Sequence, residues 1–451
     1  MQKKLLAVAV ASAAGAFVAP FAAPTVASAA APGQSTVQIY GTIYTEFPYY
    51  NNVTHAASVT GFSPDRVSFD YFRTAGSEIG IKGEEQLGGG LAAWFQCTST
   101  ADIRGSGTAG WCTRNSALGL KGFFGNLYVG IWDTPYKRTY ALGNVGGAET
   151  GVFGNSPLLH NGATAPGRPP ALANAGNATS AFATRGVWTR REVDSVMYDS
   201  PNFGGFQVLA QVQTANFSTN ITEGSTNEKP RLWSIAGQYS AGPLGVGLFY
   251  ERHTDVGIQS GATAAAGGGA TPTGATFTSD MDDSSYGISA AYTFGPVKIG
   301  GLWKREKYDV PSAAGVNPGL GQHKVSAWHL GVDWNIAGPH GLRASYTRVG
   351  SVKGQCIAAA AVDPSCAGIV AATGQGYRPG MGFRPDAQGS TGASMWQIRY
   401  VFAFSKRTEM QVGYSRINNQ SNAGYQYSDI ASNVRPGADP SAWALTMQHK
   451  F

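Results

Sequence analysis

From Val37 onward the chain repeats one unit: about ten residues of alternating apolar and polar side chains, closed by a tight turn or a long polar loop. In the final segment Trp443, Leu445, Met447, His449 and Phe451 share one face, while Ala444, Thr446, Gln448 and Lys450 share the other. Successive side chains on a strand point to opposite faces, so one face can meet hydrocarbon and the other water. The first segment shows the same split, with Gln38, Tyr40, Thr42, Tyr44 and Glu46 on one side. It recurs at residues 206–213, 297–304, 396–400 and 409–415. Gly88-Gly-Gly90, Phe123-Phe-Gly-Asn126, Phe203-Gly-Gly205, Ala241-Gly-Pro243, Phe294-Gly-Pro296 and Ala337-Gly-Pro339 supply the Gly, Asn and Pro that tight turns require. Between them lie long segments rich in Gly, Ala, Ser, Thr and Asn, near residues 48–72, 99–111, 133–190, 216–229, 254–282, 306–321, 350–393 and 418–440. Eight long loops alternating with short turns predict an all-β chain, a transmembrane antiparallel β-barrel of about sixteen strands. An unpaired apolar edge invites aggregation, so the last strand is expected to close the barrel.

Ahead of the repeats, Lys3 and Lys4 precede an apolar run over residues 5–23, and Ala27-Ser-Ala29 offers small residues for cleavage. This predicts a secretory signal peptide over residues 1–29 and one barrel domain over residues 30–451. Beyond it no run approaches the roughly eighteen apolar residues of a spanning helix. Charged residues make up 13% of the chain, against about a quarter in soluble proteins, while aromatics reach 11% and Gly 61 residues. That balance fits strands with a lipid-facing surface, and Tyr40, Trp303, Trp328, Trp334, Tyr400, Tyr414 and Phe451 are expected in interfacial aromatic girdles. The formal charge of +6 falls to about +4 once Lys3 and Lys4 are removed. Dispersed charge of that size excludes the clustered basic face of a nucleic-acid binder. The four Cys form two close pairs, Cys97/Cys112 and Cys356/Cys366, each expected to close a short loop in an oxidising compartment.

No nucleophile, base and orienting acid come together in any recognisable motif, and the seven His lack metal-site spacing with Cys or acidic partners. The chain therefore reads as neither an enzyme nor a holder of metal or cofactor. The tract at residues 261–270 in the fifth loop is low-complexity and reads as a mobile surface segment. The third loop, at nearly sixty residues, is far longer than a turn needs. A barrel this wide is an open tube unless something folds inward, and the third loop is the candidate.

Four passages in order carry a family resemblance: Val37-Gln-Ile-Tyr-Gly41, the run Gly76-Ser-Glu-Ile-Gly-Ile-Lys-Gly-Glu-Glu-Gln-Leu-Gly-Gly-Gly-Leu91, the run Asp194-Ser-Val-Met-Tyr-Asp-Ser-Pro-Asn-Phe-Gly-Gly-Phe206, and His449-Lys-Phe451. Over residues 36–451 the chain resembles the trimeric general porins of the Gram-negative outer membrane, particularly those of β-proteobacteria. The resemblance implies a homotrimer set in outer-membrane lipid and lipopolysaccharide. Each copy would have its own water-filled pore, narrowed by the third loop, for small hydrophilic solutes. It also implies a basic cluster on the wall facing acidic groups on that loop. Arg114 matches the strand-four basic position and Arg191 the strand-six one. Glu78 stands where an Arg is usual on strand two, and Ile131 replaces another frequent Arg after Gly130.

By alternation the lumen side carries Lys82, Arg114, Arg191, Lys298, Lys304, Arg343, Arg399 and Lys450 against Glu46, Glu78, Asp333 and Glu409. The third loop adds Asp133 and Glu149, and the basic Lys137, Arg138, Arg168 and Arg185. A basic excess beside low-dielectric walls predicts mild anion preference. A salt bridge between Glu78 and Arg114 would instead neutralise both. Two other functions fit the same fold. A sugar- or carboxylate-specific channel would use an aromatic line, for which Tyr40, Tyr44 and Trp94 are candidates; an adhesin would act through the loops.

Overall fold

The computed structural model describes residues 35–54, 66–74, 76–105, 110–148, 150–159, 188–213, 231–254, 257–260, 275–278, 282–310, 321–351, 353, 390–421, 423–427 and 437–451. The leader, the 261–270 tract, Glu149, Arg168, Arg185, Cys356 and Cys366 lie outside them. The elements run β1 (Ser35–Thr54), β2 (Arg66–Asp70), β3 (Arg73–Thr74), β4 (Glu78–Gly88), β5 (Leu91–Thr100), β6 (Ser116–Gly122), β7 (Gly125–Asp133) and the short helix α1 (Pro135–Tyr140). Then follow β8 (Arg191–Asp199), β9 (Phe206–Gln213), β10 (Arg231–Ala241), β11 (Leu244–Thr254), β12 (Gly257–Ser260), β13 (Ala275–Thr278) and β14 (Asp283–Phe294). The last are β15 (Val297–Val310), β16 (Gly321–Ala337), β17 (His340–Val349), β18 (Ala393–Ala403), β19 (Thr408–Asn419) and β20 (Ser441–Lys450).

Each strand pairs antiparallel with the next, and β1 pairs with β20 from Thr42 opposite Lys450 to Asn51 opposite Ser441. Gly41 and Phe451 exchange reciprocal backbone hydrogen bonds of 3.1 Å and extend that seam by one pair. The ring is therefore closed, and no strand edge is left to template aggregation. β2, β3 and β4 all pair with β1 and act as one interrupted strand. β12 and β13 form a separate hairpin. Sixteen crossing strands remain, the number expected.

The alternation holds where it was read. On β20 Trp443 is 56% exposed and Thr446 1%. With lipid outside, exposure of Leu, Ile, Val and Trp side chains all round the barrel is what membrane strands require. Trp303, Trp328, Trp334, Tyr400 and Phe451 lie on that outer face. Tyr40 does not belong with them, because its hydroxyl lies 2.5 Å from Thr98 Oγ1 and Lys82 Nζ stands 5.0 Å over its ring, on the inner face.

Two boundaries differ from the sequence reading. β1 runs six residues past the expected loop start at residue 48, carried across Pro48 and past Asn52 at a positive φ of 59°. A seventh turn, at residues 404–407, joins β18 to β19. It contains no Gly, Pro, Asn or Asp; the Ser405 hydroxyl shapes the turn by accepting from the backbone N–H of Arg407 and Thr408, both at 3.1 Å.

Candidate functional site

The third loop begins at Thr134, whose hydroxyl caps α1 by accepting from Lys137 N at 3.2 Å, with Pro135 at the first helical position. Arg138 fixes the helix to the near wall through a two-pronged pair with Asp199 at 2.8 and 2.9 Å and a bond to the Tyr128 hydroxyl at 2.9 Å. From there residues 134–148 and 150–159 run against the inner faces of β10, β11 and β14 through β19. Tyr136 N donates to Ser234 Oγ at 3.0 Å, and Ser289 Oγ donates to Thr139 O at 2.7 Å. His329 Nε2 donates to Val145 O at 2.9 Å, which leaves Nδ1 as acceptor for Asn155 and Thr347. Gln397 Nε2 donates to Phe153 O at 2.9 Å, and Ser415 Oγ to Val152 O at 2.8 Å. Lys304 contacts both Leu159 O and Glu306.

The wall is hollowed where the loop presses. A Cβ on Gly331 would stand 1.8 Å from Val145 O, and one on Gly300 would stand 2.3 Å from Val145 Cγ2. Gly300 and Gly331 are paired neighbours on β15 and β16, so together they form a seat for one side chain. The sequence reading found a loop long enough to fold inward but gave no sign of this seat, because wall glycines look like ordinary strand interruptions.

Each expected lumen charge has a definite place. Arg114, whose backbone N donates to Thr98 O at 2.9 Å, pairs with Glu78 at 2.7 Å. Asp133 accepts from Asn115 Nδ2 at 3.1 Å and pairs with Lys137 at 3.0 Å and Arg191 at 3.4 Å; Arg191 Nε also reaches Asn115 Oδ1 at 2.6 Å. Lys82 has no ion-pair partner among the described residues and lies over Tyr40. Glu46 is not an open lumen acid. It is fully buried, pairs with Arg73 at 3.4 Å and accepts from Val152 N at 3.0 Å, so it clamps the third loop to β1. Gly151 makes that clamp possible: its φ is +84° and a Cβ would lie 2.8 Å from the Glu46 carboxylate.

Sequence reasoning missed Arg73, which supplies the second strand with an inward basic group five residues before Glu78. On the far wall Arg343 is consumed by Asp333 at 3.2 Å and Glu409 at 3.0 Å. Arg399 has no carboxylate within ion-pair distance among the described residues; it donates to Gln397 Oε1 at 2.7 Å and lies 5.0 Å over the Phe153 ring. Trp94 forms no exposed aromatic line. It is packed against Tyr128 at 5.4 Å and Trp132 at 5.7 Å, with its indole N–H donating to Asn126 at 2.7 Å. Tyr44 donates to Glu46 at 3.4 Å. Cys97 and Cys112 form a disulfide spanning a separation of 15 residues, two positions before Arg114. Among the described residues no cluster of His, Cys, Asp or Glu could hold a metal ion.

Comparison with known proteins agrees with this architecture. The chain is 32% identical over 188 residues to the major outer membrane protein P.IB of Neisseria gonorrhoeae, covering 42% of this chain and 45% of that relative. It is 30% identical over 235 residues to the protein of the same name from Neisseria meningitidis serogroup A, covering 51% and 59%. The matched stretches thus span about half the length of these relatives. In fold, the anion-selective porin from Comamonas acidovorans superposes with a TM-score of 0.62 at 19% identity, over 93% of this chain and 100% of that one. The outer membrane protein OmpT of Vibrio cholerae, in its trimer form, superposes with a TM-score of 0.56 at 15% identity, over 92% and 99%. The family described as Gram-negative porin matches residues 9–422. With closed barrel, inward loop and paired lumen charges already in place, that match settles the family: the chain belongs to the Gram-negative porins.

Proposed function

We propose that the mature chain, residues 30–451 after loss of the leader at residues 1–29, is an outer-membrane diffusion channel for small hydrophilic solutes and ions, with mild anion preference. It is a channel and not an enzyme, and it works as a homotrimer with one pore per copy, surrounded by lipid and lipopolysaccharide. The observation that carries this reading is the closed sixteen-strand ring with residues 134–148 and 150–159 bonded along its inner wall. A loop in that position narrows the tube without filling it, and the remaining passage runs past Glu78, Lys82, Arg114, Arg191 and Asp133 on the opposite wall.

Anion preference follows from which charges remain uncommitted. The pairs Arg114–Glu78 and Arg73–Glu46 offer little net field, and Arg343 with Asp333 and Glu409 leaves a single negative charge. Lys82 and Arg399 have no carboxylate partner among the described residues and leave a small positive excess inside low-dielectric walls. The anion selectivity named for the Comamonas protein is consistent with this reading. The packing of the half-buried Trp94 against the buried Tyr128 and Trp132 weighs against a sugar-specific channel, which needs a line of aromatics open to the passage. The test is single-channel recording of refolded protein in a planar bilayer under a potassium chloride gradient. Three equal conductance steps with a reversal potential on the chloride side are expected; no conductance, or cation preference, would overturn the respective part of the reading.

A further inference from the structure

The short-turn end of the barrel holds a cavity of about 370 Å³ between the turns at residues 338–339 and 404–407 and the ends of β16, β17, β19 and β20. Its walls carry six charged residues: Lys406, Arg407, Lys450, Arg343, Asp333 and Glu409. Both acids are already held by Arg343, one oxygen of Asp333 on Nε and both oxygens of Glu409 on the two terminal nitrogens, at 3.0 to 3.2 Å. Lys406, Arg407 and Lys450 have no ion pair among the described residues. Four cations against two carboxylates leave the cavity at +2.

Hydrogen bonds order the backbone that carries the three uncommitted cations. Ser405 Oγ accepts from Arg407 N and Thr408 N, which orders the turn, and Lys450 N donates to Arg407 O at 2.8 Å, which binds that turn to the end of β20. Gln448, on the inner face of β20, adds an amide to the same wall. A concave site with a surplus of N–H donors, whose two acids are both bonded to Arg343 and outnumbered by the cations, suits a compact dianion.

We propose that this cavity is a binding site for small soluble dianions, of the phosphate or dicarboxylate class, at the periplasmic mouth of the pore. Short turns face the periplasm in barrels of this type. Asp333, Arg343, Glu409 and Gln448 lie on the inner face of their strands, so the site opens to the solute path and not to the lipid. The location on the solute path rests on the channel reading; the binding itself does not require conduction. The site concentrates multivalent anions at one end of the pore, which makes the channel asymmetric for them while leaving chloride flow nearly symmetric.

The test is calorimetric titration of inorganic phosphate at neutral pH into the refolded full-length protein in zwitterionic detergent. One saturable site per chain is expected, with affinity about tenfold or more weaker in K406S/R407S/K450S, since charge-assisted hydrogen bonds to a bound anion are removed. K406S/R407S alone, confined to an exposed turn, should give an intermediate loss and guards against misfolding of the triple variant. A parallel titration with succinate should compete. Absence of binding to wild-type protein, or equal binding to wild type and both variants, would overturn the proposal. So would binding of micellar phosphatidylglycerol with no binding of free phosphate, which would make the site a lipid-headgroup pocket. Chloride conductance is measured separately on the same preparations, so a failed channel reading is told apart from a failed anion site.

Discussion

Replacing Gly331 by Ala isolates the seating of the third loop from everything else in the barrel. The added Cβ would stand 1.8 Å from the carbonyl oxygen of Val145, where a carbon–oxygen contact needs about 3.3 Å. The clash is with backbone on both sides, so no side-chain rotation relieves it and the loop must retreat by roughly 1.5 Å. Retreat breaks the bond from His329 Nε2 to Val145 O, 2.9 Å long, at a cost of about 1 kcal/mol. It also carries the roughly 1–3 kcal/mol of an overpacked interior. Loop seating is therefore expected to weaken by about 2–4 kcal/mol, while the ladder joining β15, β16 and β17 stays intact. The assay is single-channel conductance with analysis of open-channel noise, with Gly245→Ala as reference because its Cβ would meet only Ser240 Oγ at 3.8 Å. Higher conductance with more noise in Gly331→Ala alone is the expected result. Identical records from both variants and wild type would refute the idea that the wall glycines hold the loop.

Other expectations follow from the same contacts. Glu78→Gln releases Arg114 from its 2.7 Å pair and should move the reversal potential further toward chloride, whereas Arg114→Ser should move it the other way. Removing the disulfide as Cys97→Ser/Cys112→Ser opens a loop of 15 residues and should lower thermal stability by about 3 kcal/mol at most, read as a lower unfolding temperature of the refolded barrel. Leu445→Lys puts a charge on the lipid face of β20, where the side chain is 44% exposed, and should cost about 2–4 kcal/mol near the bilayer midplane. The loss is read from a urea titration of refolding into lipid vesicles.

The strands were legible because a lipid-facing barrel wall forces a period of two, and β9, β18 and β20 show that period without interruption. Glycine and proline marked six of the seven short turns, and the seventh was hidden because Ser405 does through its hydroxyl what Gly or Asn does through backbone freedom. The interrupted second strand was harder. Its pieces are five, two and eleven residues long, too short in their first two parts for alternation to register, so Arg73 escaped notice. Sequence placed Glu78, Arg114 and Arg191 on the inner side and Asp133 on the third loop, where the structure has it as the last residue of β7; it could not say which would pair, because pairing depends on stagger between neighbouring strands. Glu46 shows the limit most clearly. Alternation faces it inward, and only the fold reveals that a backbone N–H from residue 152 fills the space beside it.

The third loop's anchors also impose an order on assembly. Its middle is held by Gln397 of β18 and Ser415 of β19, partners 244 and 263 residues away along the chain, and by Glu46 of β1, 106 residues before it. Those three strands come together only at the closing seam, where β20 joins β1. The middle of the loop therefore cannot complete its seating while the ring is still a growing sheet, since the part of its docking surface built from these three strands does not yet exist. Until the seam closes, the middle of the loop lacks these partners, and the forming bore is expected to be wider than the finished one.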